Sequence, residues 1–180
     1  MNDLAILIVE DEPEVRDALI RDVAPFEGQF LIEAAEDVDD AHAALASLEA
    51  AEQSVALVLC DHLLPGVHGV DFLIELNEDP KTASARKVLV TGQAGLEDTI
   101  RAVNNADLDH YIAKPWDEAN LRLVVEGLLR NYRLYQLETG RSMLLVLREL
   151  DQRLWESRQE LDDLGHPVPA RTSDPLVDVD

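Results

Sequence analysis

Four places in this chain hold residue types that act together on phosphate and divalent metal: the acidic pair Glu10-Asp11, then Asp61, Thr91 and Lys114. Each directly follows an apolar run of strand length: residues 4–9, 55–60, 87–90 and 108–113. In a parallel α/β sheet the C-terminal ends of the strands share one edge, so these distant residues converge there. Three carboxylates held close repel one another. A hard cation such as Mg²⁺, which takes oxygen ligands and keeps several waters, relieves that repulsion. Lys114 supplies an ammonium that pairs first with a carboxylate and then with a phosphate oxygen. The residue before a proline is driven towards extended geometry, which holds Lys114 across the edge. Thr91 offers a hydroxyl to a phosphoryl oxygen, and Gly92 leaves the approach open. Taken singly, each residue has an ordinary reading: Asp61 as a turn or helix cap, Glu10-Asp11 as solvated loop acids, Lys114 as a surface lysine, Thr91 as a strand former. Their conjunction at successive strand ends is what carries the chemistry.

The elements that position them follow from hydrophobic periodicity. Residues 4–9 and 55–60 are continuous apolar runs, as expected of strands buried on both faces. Pro13 suits the first turn of a helix, with Val15, Ala18, Leu19 and Val23 at helical spacing. Residues 30–32 predict a short second strand. Asp37 caps a second helix with Ala41, Ala44, Leu45 and Leu48 on its apolar face. Pro65-Gly66 and Gly69 precede a helix containing Phe72, Leu73 and Leu76. Residues 88–90 form the fourth strand, Leu96, Ile100 and Val103 mark a fourth helix, and residues 111–113 close a fifth strand. Five alternations of strand and helix predict a doubly wound α/β domain with a five-stranded parallel sheet, flavodoxin-like in arrangement.

From Asp117 to about Leu164 the pattern is helical with almost no breaker, Gly140 being the weak point. Its first part, with Leu121, Val124, Val125, Leu128, Leu129 and Tyr132, is apolar enough to cover the sheet. Further on, Leu147, Leu154 and Leu161 recur every seven residues. Met143, Leu150 and Leu164 complete an a/d seam of about three heptads, and Ser157 is its polar gap. The expected division is a domain over residues 1–130, a helical and coiled-coil extension over 131–164, and a Pro-rich acidic tail over 165–180 that is disordered.

Composition narrows the function classes. The 180 residues include 37 acids against 15 Lys and Arg, a net charge of −22. Such a surface repels phosphate backbones and anionic membranes, which argues against direct nucleic-acid or membrane binding. No apolar run reaches the roughly 20 residues of a membrane span. The N-terminus lacks the basic and apolar regions of a signal peptide. Cys60 is the sole cysteine, so no internal disulfide forms. These features together predict a cytoplasmic protein. His62 and His68 flank the Asp61 loop without the spacing of a zinc site. Cys60 reads as a small buried apolar residue, and Trp116 and Trp155 as packing residues.

At the level of motifs the chain resembles the receiver domains of two-component response regulators, the chemotaxis-regulator-like fold. The matching segments are Ile8-Val9-Glu10-Asp11-Glu12-Pro13, Leu59-Cys60-Asp61-His62-Leu63-Leu64-Pro65-Gly66 with Gly69, Val90-Thr91-Gly92, and Tyr111-Ile112-Ala113-Lys114-Pro115-Trp116. The match spans roughly residues 3 to 130. The resemblance implies that Asp61 accepts a phosphoryl group from the phosphohistidine of a histidine kinase or histidine phosphotransfer protein. It implies that Glu10, Asp11, Asp61 and the Leu63 backbone carbonyl hold Mg²⁺, and that Thr91 and Lys114 bind phosphoryl oxygens. It also makes Tyr111 the switch aromatic, turning inward when Thr91 moves, with a response spread over the fourth helix, the fifth strand and the helix after it. Two positions depart from the commonest pattern. Glu10 stands where aspartate is also frequent, and Leu63 stands where many members carry a polar side chain, which alters water access to the phosphoryl group.

The implied output is a protein–protein event, with a homodimer formed through the C-terminal helices or a downstream protein target. A second reading makes the chain the front of a longer regulator with a separate output domain. A third, haloacid-dehalogenase-like phosphatase chemistry, needs an aspartate two residues after the nucleophile; that position is Leu63, so the expectation is no enzyme beyond self-catalysed phosphoryl transfer and autodephosphorylation.

Overall fold

The computed structural model describes residues 3–92 and 105–163, with side chains placed as far as Arg153. The helix predicted around Leu96, Ile100 and Val103, together with Leu164 and the tail from Gly165, lies outside the described residues. The chain divides into two compact units, Met1–Leu134 and Tyr135–Asp180.

In the first unit, β1 (Leu4–Val9), β2 (Leu31–Ala35), β3 (Ser54–Asp61), β6 (Arg86–Thr91) and β7 (His110–Ala113) form one parallel sheet in the order β2-β1-β3-β6-β7. Between β3 and β6, β4 (Leu63–Leu64) and β5 (Val67–His68) make a short antiparallel ladder. Its turn passes through Gly66 at φ 79°, a left-handed conformation that glycine adopts without a Cβ clash. The helices are α1 (Pro13–Val23), α2 (Val38–Ala50), α3 (Gly69–Glu78) and α4 (Glu118–Asp163). Asp37 caps α2 by accepting from the Asp40 N–H at 2.8 Å, and Asp117 caps α4 by accepting from the Asn120 N–H at 2.9 Å.

The period of two along the inner strands splits the core into two layers. Leu7, Val9, Val58, Cys60 and Leu89 pack with α2 and α3 through Ala41, Leu48, Phe72 and Leu73. Ile6, Ile8, Leu59, Val88 and Val90 pack with α1 and the start of α4 through Leu19, Val23, Leu121, Val125 and Tyr132. Helices on both faces explain why the inner strands read as unbroken apolar runs. Each side chain so buried contributes about 1.5–3 kcal/mol, so the first four turns of α4 are held by the sheet.

β3 and β6 each run one residue further at both ends than the expected 55–60 and 87–90, and the second and fifth strands differ for reasons visible in their hydrogen bonds. The second strand begins at Leu31 because the Phe30 N–H is already bonded to the Phe26 carbonyl at 3.0 Å, while pairing with β1 carries the strand on to Ala35. The fifth begins at His110. Asp109, before it, turns its carboxylate back to accept from the Lys87 N–H at 2.8 Å and from Arg86 Nη1 at 3.2 Å. Lys87 is fully buried, and its ammonium donates to Asn77 Oδ1 and to the Ala83 and Ala85 carbonyls at 3.0–3.2 Å. Burial lowers its pKa from the ordinary lysine range, with the Asp109 and Asp107 charges opposing that shift.

In the second unit the described residues continue as helix through Asp163. No helix among the described residues is long and apolar enough to cross a membrane.

Candidate functional site

Strand register brings the chemistry together. Val9 pairs with Cys60, so Glu10 follows β1 beside Asp61. Asp61 pairs with Val90, which sets Thr91 one step further along the same edge, and Thr91 pairs with Ala113, just before Lys114. The Glu10 N–H donates to the Ala35 carbonyl at 3.1 Å, and the Lys114 N–H to the Thr91 carbonyl at 3.1 Å. Two strand spacings of about 4.8 Å separate β7 from β3, and the long lysine side chain crosses them. Lys114 Nζ stands 2.7 Å from Glu10 Oε2 and 3.2 Å from Asp61 Oδ2.

Glu10, Asp61 and Thr91 are buried, and Asp11 is half-buried at the mouth. One carboxylate oxygen from each of Glu10, Asp11 and Asp61 lies within 4.8 Å of the others. Opposed ligands of an octahedral Mg²⁺ stand about 4.2 Å apart. This oxygen-only set therefore fits the ion with a small closure or one water between. Both buried carboxylates also accept locally: Glu10 Oε1 from the Glu12 N–H at 3.3 Å, and Asp61 Oδ1 from the His62 N–H at 2.7 Å.

Three carboxylates against the one Lys114 ammonium leave the site acidic. Burial raises the Glu10 pKa, the Asp61 charge raises it further, and the hydrogen bond and charge of Lys114 only partly offset this. For Lys114, burial pushes the pKa down, but the hydrogen bond and charge of Glu10 and the charge of Asp61 outweigh it, and the ammonium is held above the ordinary lysine value. Burial pushes the Cys60 thiol well above the usual range, and the Asp61 and Glu10 charges add to the shift. Cys60 is therefore a packing residue without thiolate character.

Every residue singled out in the sequence at the strand ends lies along this edge. Tyr111, on β7, is 38% exposed and donates its hydroxyl to the Thr91 carbonyl at 3.4 Å. Leu63 sits in the β4–β5 ladder with its side chain half exposed. The rings of His62 and His68 stack with centroids 5.3 Å apart. Trp116, read only as packing, also donates Nε1 to buried Asp22 Oδ2 at 2.9 Å.

The sequence assigns no role to two contributors, Arg16 and Gly69, although Gly69 stands among the matching segments. Arg16 Nη1 donates to the Glu10 carbonyl at 2.8 Å and so fixes the backbone of the acidic loop. The signal was its position one turn into the helix that Pro13 starts. Gly69 is the second. A Cβ there would stand 1.8 Å from the Asp61 carbonyl oxygen, so α3 can reach the end of β3 only without a side chain. Periodicity marks that glycine merely as a breaker.

Comparison with known proteins agrees with this geometry. The family model described as "Response regulator receiver domain" matches residues 6–126. The hydrogenase transcriptional regulatory protein HoxA of Cupriavidus necator is 30% identical over 155 residues, which cover 83% of this chain and 30% of that protein. Response regulator Rre1 of Synechocystis is 27% identical, covering 98% of this chain and 71% of its own. This chain thus spans under a third of the HoxA relative. Among solved structures, a CheY-like response regulator receiver domain protein from Methanospirillum hungatei superposes with a TM-score of 0.63 at 27% identity, covering 73% of this chain and 97% of that one. The parallel sheet, the acidic edge bridged by a lysine and the matched span lead to one assignment: the chain belongs to the response regulator receiver domain family.

Proposed function

We propose that Asp61 accepts a phosphoryl group from a phosphohistidine carried by a histidine kinase or a histidine phosphotransfer protein. The observation that carries this reading is the Lys114 ammonium seated between Glu10 and Asp61, with Asp11 completing a three-carboxylate cluster. Glu10, Asp11 and Asp61, with the Leu63 carbonyl, would hold Mg²⁺, which when bound supplies positive charge against the transferring phosphoryl oxygens. An Asp61 oxygen attacks phosphorus, the P–N bond breaks, and its electron pair returns to the imidazole as the ring leaves. The product carries close to −2 charge. Lys114 releases Asp61 Oδ2 and pairs with one phosphoryl oxygen, while the Thr91 hydroxyl donates to another. Tyr111, bonded to the Thr91 carbonyl, follows Thr91 inward, and the population moves between two packings of the β7–α4 side of the domain.

In this reading the chain is an acceptor and switch in the cytoplasm, not a turnover enzyme. The aspartate that an ester phosphatase needs two residues after its nucleophile is replaced by Leu63. The output we propose is protein–protein, through pairing of the helix beyond Leu134. A separate output domain on a longer protein is the second reading, favoured by the greater length of the HoxA relative, of which this chain covers 30%.

The test is incubation with acetyl phosphate and Mg²⁺ followed by intact mass. One phosphoryl adduct is expected on the natural chain and none on Asp61→Asn. Equal labelling of Asp61→Asn overturns the site.

A further inference from the structure

The second unit presents more apolar surface than a two-stranded seam can use. Leu137, Met143, Leu144, Leu145, Val146, Leu147 and Leu150 are each 50–65% exposed. At 100° per residue, the five positions 143–147 cover the whole circumference of the helix. A helix with apolar residues on more than one face has more than one face to bury. With Leu147 at a and Met143 and Leu150 at d, Leu137 and Leu144 both fall at e, and Val146 falls at g. Apolar residues at a and d alone make a coiled-coil seam, whereas apolar a, d and e make the core-facing stripe of a helix bundle. One heptad later the pattern reverts, with Asp151 at e and Arg153 at g.

The charges indicate what covers the extra stripe. The chain as a whole carries −22, yet residues 135–153 hold three acids (Glu138, Glu149, Asp151) and three bases (Arg141, Arg148, Arg153), a net charge of zero. A docking face for a basic partner would share the acidity of the rest of the chain. A neutral face with both signs flanking an apolar band is self-complementary, and it lets acidic molecules meet where their repulsion is least.

We propose that residues 137–147 join two helix pairs of this chain into a four-helix, four-chain bundle, with Leu137, Leu144 and Val146 as the contacts between pairs. This deepens the pairing proposed above and rests on it, but it is independent of the phosphoryl chemistry. The test is sedimentation equilibrium of the full chain over a concentration series. The natural chain is expected to reach four chain masses in equilibrium with two. Leu144→Glu, changed at e only, is expected to stop at two, and Leu147→Glu with Leu150→Glu, changed in the seam, at one, with helicity and phosphoryl labelling checked in each. A natural chain that stays at two chain masses throughout overturns the bundle and leaves the pairing standing. One that stays at a single chain mass overturns both. Four chain masses retained by Leu144→Glu also overturns the assigned contact.

Discussion

Gly69→Ala adds one methyl group where the structure has no room for it. The new Cβ would stand 1.8 Å from the Asp61 carbonyl oxygen and 2.9 Å from both the Asp61 carbonyl carbon and Cys60 Sγ. The two Asp61 atoms are backbone, which cannot swing aside. The start of α3 and the end of β3 must therefore part by about 1.2 Å before the closest contact reaches 3.0 Å. Overpacking of this kind costs about 1–3 kcal/mol. The Gly69 N–H bond to the His62 carbonyl, 2.8 Å long, opens with it, a further loss of about 1 kcal/mol. Alanine's advantage over glycine in a helix returns at most about 1 kcal/mol. The net expectation is a loss of about 1–3 kcal/mol. A second consequence concerns function, because the displaced carbonyl belongs to Asp61 itself. A shift of about 1 Å at a reacting group lowers rates by about a hundredfold. The assays are urea unfolding and the time course of phosphoryl labelling by acetyl phosphate with Mg²⁺. Stability within about 0.5 kcal/mol of the natural chain, the range of a neutral surface change, would refute the packing argument. A destabilised variant that labels at the natural rate would refute the link from packing to Asp61.

Two further predictions test the electrostatics around the site. The folded Glu10 pKa lies above its unfolded value, so the folded state binds the extra proton and stability falls as pH rises from about 4.5 through the folded pKa; Glu10→Gln is expected to remove that fall in urea titrations over pH, and added Mg²⁺ at neutral pH is expected to stabilise the natural chain but not this variant. Trp116→Phe removes the donor to buried Asp22 and is expected to lower unfolding stability by about 1–3 kcal/mol, while phosphoryl labelling of Asp61 continues.

Much of the site was legible because it sits at strand ends. Buried parallel strands announce themselves as apolar runs, and the first polar residue after each run lies at the edge where the acidic cluster gathers. Glu10, Asp61, Thr91 and Lys114 were found in this way. The start of the second strand was not, because Phe30 has strand-like chemistry but its N–H is captured by the turn at Phe26. Asp109 was hidden for a related reason: its carboxylate bonds the backbone of Lys87, a partner 22 residues away. Lys87 itself has the composition of a strand terminus and the environment of a core residue, satisfied by one acceptor on α3 and two in the α3–β6 connection. Local pattern carries no information about such partners.

The sequence alone determined the alternation of strands and helices, the edge along which the chemistry gathers, and the identity of each group there, because these depend on periodicity and residue type. Only the tertiary structure decided how those groups are balanced. It placed the Lys114 ammonium between Glu10 and Asp61, brought the Asp11 carboxylate within reach of both, left Tyr111 outward on the Thr91 carbonyl, and pressed Gly69 against the Asp61 backbone. Distances between residues 50 and 100 positions apart are set by strand register and helix packing, and electrostatic balance depends on those distances and on burial.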